Sequence, residues 1–218
     1  MPPKLIVAII AVVVLITGYT IYEATHPSTD TSGTAPSLTA DTLSNDTQWH
    51  NFTSPSGKFK AFFPARPQHA TDTLNDTNHP GPRYYDMYVA EKSDGTMFMI
   101  SSITFLDKDA PAPDKSFLSQ LMDDMVKTNE NNQLKKSEEV DYLGHPALNF
   151  TIESNQVTVD GRAFIQDKTL YLLSMVAKNP DYSKKDFDFF VKSFELLPDM
   201  SSPVQDIPTP ATITPQIQ

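Results

Sequence analysis

Cysteine is absent from the 218 residues. Its absence excludes disulfides, thiolate metal ligands, redox motifs, cysteine nucleophiles and a lipidated N-terminal cysteine together. Glycine is scarce, 7 in all and nowhere closely grouped, which excludes phosphate-cradling loops and dinucleotide fingerprints. Cations are the minority charge: 17 Lys and Arg face 27 Asp and Glu, a net charge of −10. A nucleic-acid surface needs clustered Lys and Arg to displace counterions from phosphates, so no nucleic-acid partner is expected. The patterns HExxH, GxSxG and SxxK and the kinase signature set are also missing. No catalytic residue, metal ligand or cofactor is therefore assigned, and the chain is not read as an enzyme.

Long apolar runs are lacking as well, with one exception at the N-terminus. Leu5 to Ile16 is continuously apolar and leads through Thr17–Thr20 to Ile21 and Tyr22. As a helix, Leu5 to Tyr22 would extend about 27 Å, just enough for a hydrocarbon core of roughly 30 Å. Lys4 marks the cytoplasmic side, and Tyr19 and Tyr22 sit where an interfacial aromatic belt belongs. Residues 1–22 are thus expected to be an uncleaved signal anchor, a single transmembrane helix. The rival reading is a cleaved signal peptide, for which Gly18-Tyr19-Thr20 is the passable cleavage frame. Either one exports the rest of the chain, so the C-terminal domain is expected to be extracytoplasmic, in the periplasm if the source is Gram-negative.

Residues 23–48 hold 11 Ser or Thr and no aromatic, too little apolar surface to offset ordering entropy, and read as a disordered linker. A flexible coil of that length would span roughly 28 Å. Residues 199–218, with four prolines, read as a disordered tail of polyproline character. Between them, residues 49–198 carry the only Trp and all 13 Phe, and form one domain of a size that buries a single core.

Strand signals dominate that domain. Lys58–Phe63 alternates Phe59, Ala61 and Phe63 on one face and ends at Pro64. Arg83–Glu91 and Thr96–Phe105 flank Ser93-Asp94-Gly95, a hairpin signal. Leu134–Tyr142 looks like an edge strand guarded by Lys and Glu. Ala147–Glu153 and the nearly all-apolar Thr169–Ala177 are further strands, the latter central. Asp160-Gly161 is either a turn between strands or a bulge within a longer one. Two helices stand out. Asp114 can cap a helix with Phe117, Leu118, Leu121, Met122, Met125 and Val126 on one face. Ser183 opens a capping box with Asp186, and Phe187, Phe190, Val191 and Phe194 come after it at helical spacing. The class expected is α+β, an antiparallel-dominated sheet with amphipathic helices on it.

The order of motifs is informative: WHNFTSPSGKFKAFFPARP from Trp49, Leu143-Gly144-His145-Pro146, Leu170-Tyr171-Leu172, then Phe190-Val191-Lys192-Ser193-Phe194. It resembles uncharacterised extracytoplasmic bacterial proteins with the PsbP-like fold, related in shape to DcrB and to Mog-type Ran-binding proteins. The resemblance implies an antiparallel sheet of about six strands with helices on its faces, in an accessory or binding protein rather than an enzyme. It offers no catalytic motif to transfer onto residues here.

Several constellations are candidate sites. His69, Asp72, Asp76 and His79 have imidazole and carboxylate chemistry suited to a divalent ion. The Thr, the Asn and the following Pro80-Gly81-Pro82 instead make this stretch an exposed polar loop. Asp107, Asp109 and Asp114, and Glu138, Glu139 and Asp141, read as solvated charges or helix starts rather than a carboxylate pair. Trp49, Phe52, Phe59 and Phe63 read as core, and His145 as part of a tight turn. Sequons at Asn45, Asn51, Asn75 and Asn149 barely exceed chance, and Asn149 falls in a strand. The function expected is a membrane-anchored extracytoplasmic domain acting through protein contacts. The alternative is a small-molecule or metal carrier of the cell envelope, and a hydrolytic enzyme comes third.

Overall fold

The computed structural model describes residues 49–74, 83–106, 115–154, 157–178 and 183–198. Among the described residues, ten strands and two helices run in the order β1 (His50–Thr53), β2 (Phe59–Phe63), β3 (Gln68–Leu74), β4 (Arg83–Glu91), β5 (Met97–Phe105), α1 (Lys115–Lys127), β6 (Asn132–Tyr142), β7 (His145–Ser154), β8 (Val157–Gln166), β9 (Thr169–Lys178), α2 (Lys184–Ser193) and β10 (Glu195–Leu196). The class is α+β, as expected. The large sheet has seven strands rather than about six, in the order β3-β4-β5-β9-β8-β7-β6, every neighbour antiparallel. A second, three-stranded sheet, β1-β2-β10, packs beside it.

Both faces of the seven-stranded sheet are covered, and sequence pattern shows why. In β9 every side chain but Lys178 is buried, because the strand lies at the sheet's centre with apolar layers above and below. Its even residues Leu170 and Leu172 join Met99, Ile103, Leu148, Phe150 and Ile165 under α1, which contributes Leu118, Leu121, Met122 and Met125. Its odd residues Tyr171, Leu173, Met175 and Ala177 face α2 and the small sheet, meeting Phe59, Phe63, Phe187, Phe190, Val191 and Phe194. The Ser183 side chain accepts from the Asp186 amide and starts α2, so the expected cap is present. Asp114, the expected cap of α1, lies outside the described residues.

The Asp94-Gly95 hairpin joins β4 to β5. Gly95 takes φ +82°, a left-handed conformation that disfavours any side chain, and Asp94 accepts from the Thr96 amide at 2.8 Å. Asp160-Gly161 is neither a turn nor a bulge. It lies in the unbroken register of β8, with Gly161 opposite Phe150 on one side and Ser174 on the other. The stretch expected as a loop from His69 is, over Gln68–Leu74, the edge strand β3. Backbone pairing with β4 makes it a strand although its side chains show no apolar alternation. The expected transmembrane helix, linker and tail lie outside the described residues; among the described residues no helix is long and apolar enough to cross a membrane.

Candidate contact surfaces

The sheet ends differently on its two sides. At one edge β6 exposes Lys135, Lys136, Glu138, Glu139 and Asp141, and its register shifts between Leu134 and Lys136. Charges and a bulge are the devices that keep an edge from pairing with another strand. At the other edge, Gln68 to Thr73 of β3 are all exposed and contain no Lys, Arg or Pro, and a single acid, Asp72. Among the described residues β3 pairs with β4 alone, so its outer row of amides and carbonyls has no strand against it.

His69 and Asp72 both lie on this strand. They belong to opposite faces of the sheet, because His69 pairs with Tyr88 and Asp72 with Tyr85, whose side chains enter opposite core layers. His69 stacks on Tyr88 at 4.4 Å, nearly coplanar, and its Nε2 is 2.9 Å from Asp86 Oδ1. Asp76 and His79 lie outside the described residues. Among the described residues no group of three His, Asp or Glu is placed to hold a metal ion.

Polar side chains cluster near α2 on the face of the large sheet that it shares with the small sheet. Two cross-strand rows make up the cluster: Lys136, Thr151, Asp160 and Glu138, Asn149, Arg162. Each runs from the exposed edge to the buried middle, and their charges are reversed. Asp160 is 1% exposed and accepts from Thr151 Oγ1 at 2.5 Å. Arg162 Nε donates to Asn149 Oδ1 at 2.6 Å, and its guanidinium lies 4.4 Å from the Tyr142 ring centre. Burial pushes the Arg162 guanidinium below its usual range, and pushes the Tyr142 hydroxyl up to about 12. That hydroxyl donates to the Val191 carbonyl at 2.6 Å, tying the end of β6 to α2.

Other residues singled out in the sequence pack or pair within the domain where the structure describes them. Glu138 pairs with Lys136 at 2.7 Å, while Glu139, one residue on, points to the other face. Phe59 and Phe63 are fully buried, and Phe52 packs its ring on both and on Tyr88. Trp49 is half-buried against Phe98, Phe189 and Phe190. His145 opens β7 after the turn at Leu143-Gly144, and Asn149 is mid-strand as expected. Asn51 is in β1, whereas Asn45, Asn75, Asp107 and Asp109 lie outside the described residues.

No protein-family model matches the chain, and neither does any curated protein. Among solved structures it is similar to the cyanobacterial PsbP protein, CyanoP, of Synechocystis sp. PCC 6803. That likeness has 11% identity, covers 76% of this chain and 98% of that one, and has a TM-score of 0.43. It is also similar to a protein of unknown function from Pseudomonas aeruginosa, with 11% identity, 61% of this chain, 85% of that one and a TM-score of 0.32. A third likeness is to a protein from Bacteroides thetaiotaomicron, with 16% identity, 68% of this chain, 48% of that one and a TM-score of 0.34. A PsbP protein therefore stands among the structural likenesses, but superpositions this loose transfer no activity, ligand or partner.

Proposed function

We propose that the chain is a single-pass, membrane-tethered extracytoplasmic accessory domain that works by binding another protein at the open edge of β3. The asymmetry of the sheet carries this reading: β6 is guarded by charge and a bulge, whereas β3, among the described residues, is an edge strand with no Lys, Arg or Pro and no bulge. A partner segment adding to that edge would gain main-chain hydrogen bonds, with exposed side chains such as Ala70 and Thr71 supplying selectivity. The tether is residues 1–22, read from their apolar run and the lone Lys4. The test places a photo-crosslinking residue at Ala70 of the full chain in native membranes. A discrete adduct is expected, and Thr71→Lys/Thr73→Lys is expected to abolish it without moving the unfolding midpoint, since both side chains are exposed. Adducts that persist at full yield in the double variant would remove β3 as the contact. The tether is checked separately: full-length protein should resist carbonate washing, and a mature form beginning near Tyr19 to Thr25 would establish a cleaved signal peptide.

The half-buried Arg162 supports a second reading, a carrier of small anions in the cell envelope. Arg162 donates from Nε to Asn149, and its guanidinium lies against the Tyr142 ring. Small carboxylates that raise the unfolding midpoint of the wild type but not of Arg162→Gln would put this reading first.

A further inference from the structure

Two exposed aromatic rings stand together on an otherwise polar surface. Phe62 of β2 is 36% exposed and Phe189 of α2 is 44% exposed, with ring centres 6.1 Å apart. Trp49 extends the patch, its ring 4.9 Å from Phe189. The patch is held in shape: the Phe62 amide donates to Ser193 Oγ at 2.9 Å, which ties β2 to the end of α2. Solvent-facing aromatics at the junction of two elements cost solubility, so their cover needs an explanation.

Three features point to the same cover. Trp49 directly follows residues 23–48, which descend from the apolar run Leu5 to Tyr22, so the chain enters the domain at this patch. Trp and Phe are suited to the headgroup boundary, where a ring finds apolar depth and a polar rim at once. Lys185 and Lys192 lie four residues before and three after Phe189, on the same exposed side of α2, and no ion pair involves either among the described residues. Cations flanking aromatics match an anionic lipid surface, whereas the domain as a whole is acidic.

We infer that the Trp49, Phe62 and Phe189 patch is a lipid-contacting surface, which lays the domain on the outer leaflet and leaves the β3 edge free for its partner. The inference deepens the tethered reading and rests on it. A domain that is only tethered would sample all orientations on its linker. One seated by this patch presents β3 in a fixed way.

The chain has one tryptophan, and it lies in the patch, so in the folded protein the emission comes from the proposed contact, and quenching by brominated chains separates that contact from unfolding. Full-length protein is reconstituted into vesicles of zwitterionic lipid, with and without an anionic component, and with acyl chains plain or brominated. Trp49 emission is expected to shift to the blue and to be quenched by brominated chains. Quenching should be greater with anionic lipid and lost in Phe62→Ser/Phe189→Ser, whose circular dichroism should stay unchanged. In Lys185→Glu/Lys192→Glu only the anionic increment is expected to disappear. Protein that resists carbonate extraction but shows no quenching would overturn the lipid contact and leave the tether standing. Protein that carbonate removes, yet that is quenched beforehand, would overturn the tether and keep the patch; extraction without quenching removes both. Blue-shifted emission that depends on protein concentration and not on bromination would assign the patch to a second copy instead.

Discussion

Replacing Gly161 by alanine is the sharpest test of the packing. Its φ is ordinary, so the backbone there tolerates any residue. In such a strand, alanine normally stabilises by about 0.5–1 kcal/mol, because the unfolded chain has less freedom to lose. Here the opposite sign is expected. The Phe150 ring lies flat over Gly161, its Cζ within clashing range of a Cβ built there and Cε1 and Cε2 at 2.5 Å. Phe150 is 2% exposed and belongs to the layer under α1, and a close-packed core leaves a ring little volume to move into. Overpacking a filled core costs about 1–3 kcal/mol, and so complete an overlap belongs in the upper half of that range. Subtracting the entropy gain leaves a net loss of roughly 1–2.5 kcal/mol. The assay is chemical denaturation of residues 48–198 monitored by Trp49 emission. Phe150→Leu opens space over the glycine, so the double variant should be more stable than the sum of the two losses, with a coupling of about 1 kcal/mol or more. A neutral or stabilising Gly161→Ala, with additive behaviour in the double variant, would refute the overlap.

Phe190, fully buried and ringed by Trp49, Phe63 and Phe98, should cost about 3–5 kcal/mol on change to alanine. Phe189→Ala, next to it but facing out, should change stability by no more than about 0.5 kcal/mol in the same denaturation assay. The hydroxyls of Tyr85, Tyr88, Tyr142 and Tyr171 are pushed up to about 12 from 10.0, chiefly by burial. Their folded pKa lies above the unfolded one, so this contribution is complete below pH 10 and is lost as pH rises towards 12. Unfolding midpoints should therefore fall across that window, and ultraviolet titration should show a late class of phenols that appears with unfolding. With His69 and Asp72 on opposite faces of β3, Zn²⁺, Mn²⁺ or Ca²⁺ at about 100 μM should leave the midpoint unmoved, where a micromolar site would add about 2.7 kcal/mol. A shift that vanishes in His69→Ala/His79→Ala would contradict this.

Features legible in the sequence belong to a single segment, and features hidden from it belong to a pair of segments. The period of Phe187, Phe190 and Phe194 after Ser183 is written within a dozen residues; α2 buries Phe187 and Phe190, and Phe194 is buried as its extended C-cap. The apolar run of β9 announces a strand buried on both faces, and Lys and Glu along β6 announce an edge. β3 has no such signature: Gln68 to Leu74 is polar, and only the facing backbone of β4 makes it a strand. Asp160, Gly161 and Arg162 are the clearest case of a local signal that misleads. Read alone, Asp-Gly marks a turn. Once β7 lies alongside, Asp160 has the Thr151 hydroxyl, Gly161 makes room for Phe150, and Arg162 has the Asn149 amide, so each odd residue of β8 is explained by the residue opposite. The candidate contact edge is hidden for the same reason. Being at an edge means that no strand lies alongside, and a segment cannot record which neighbours it lacks. Guarding residues can record it, which is why β6 is recognisable from its sequence and β3, which carries almost none, is not.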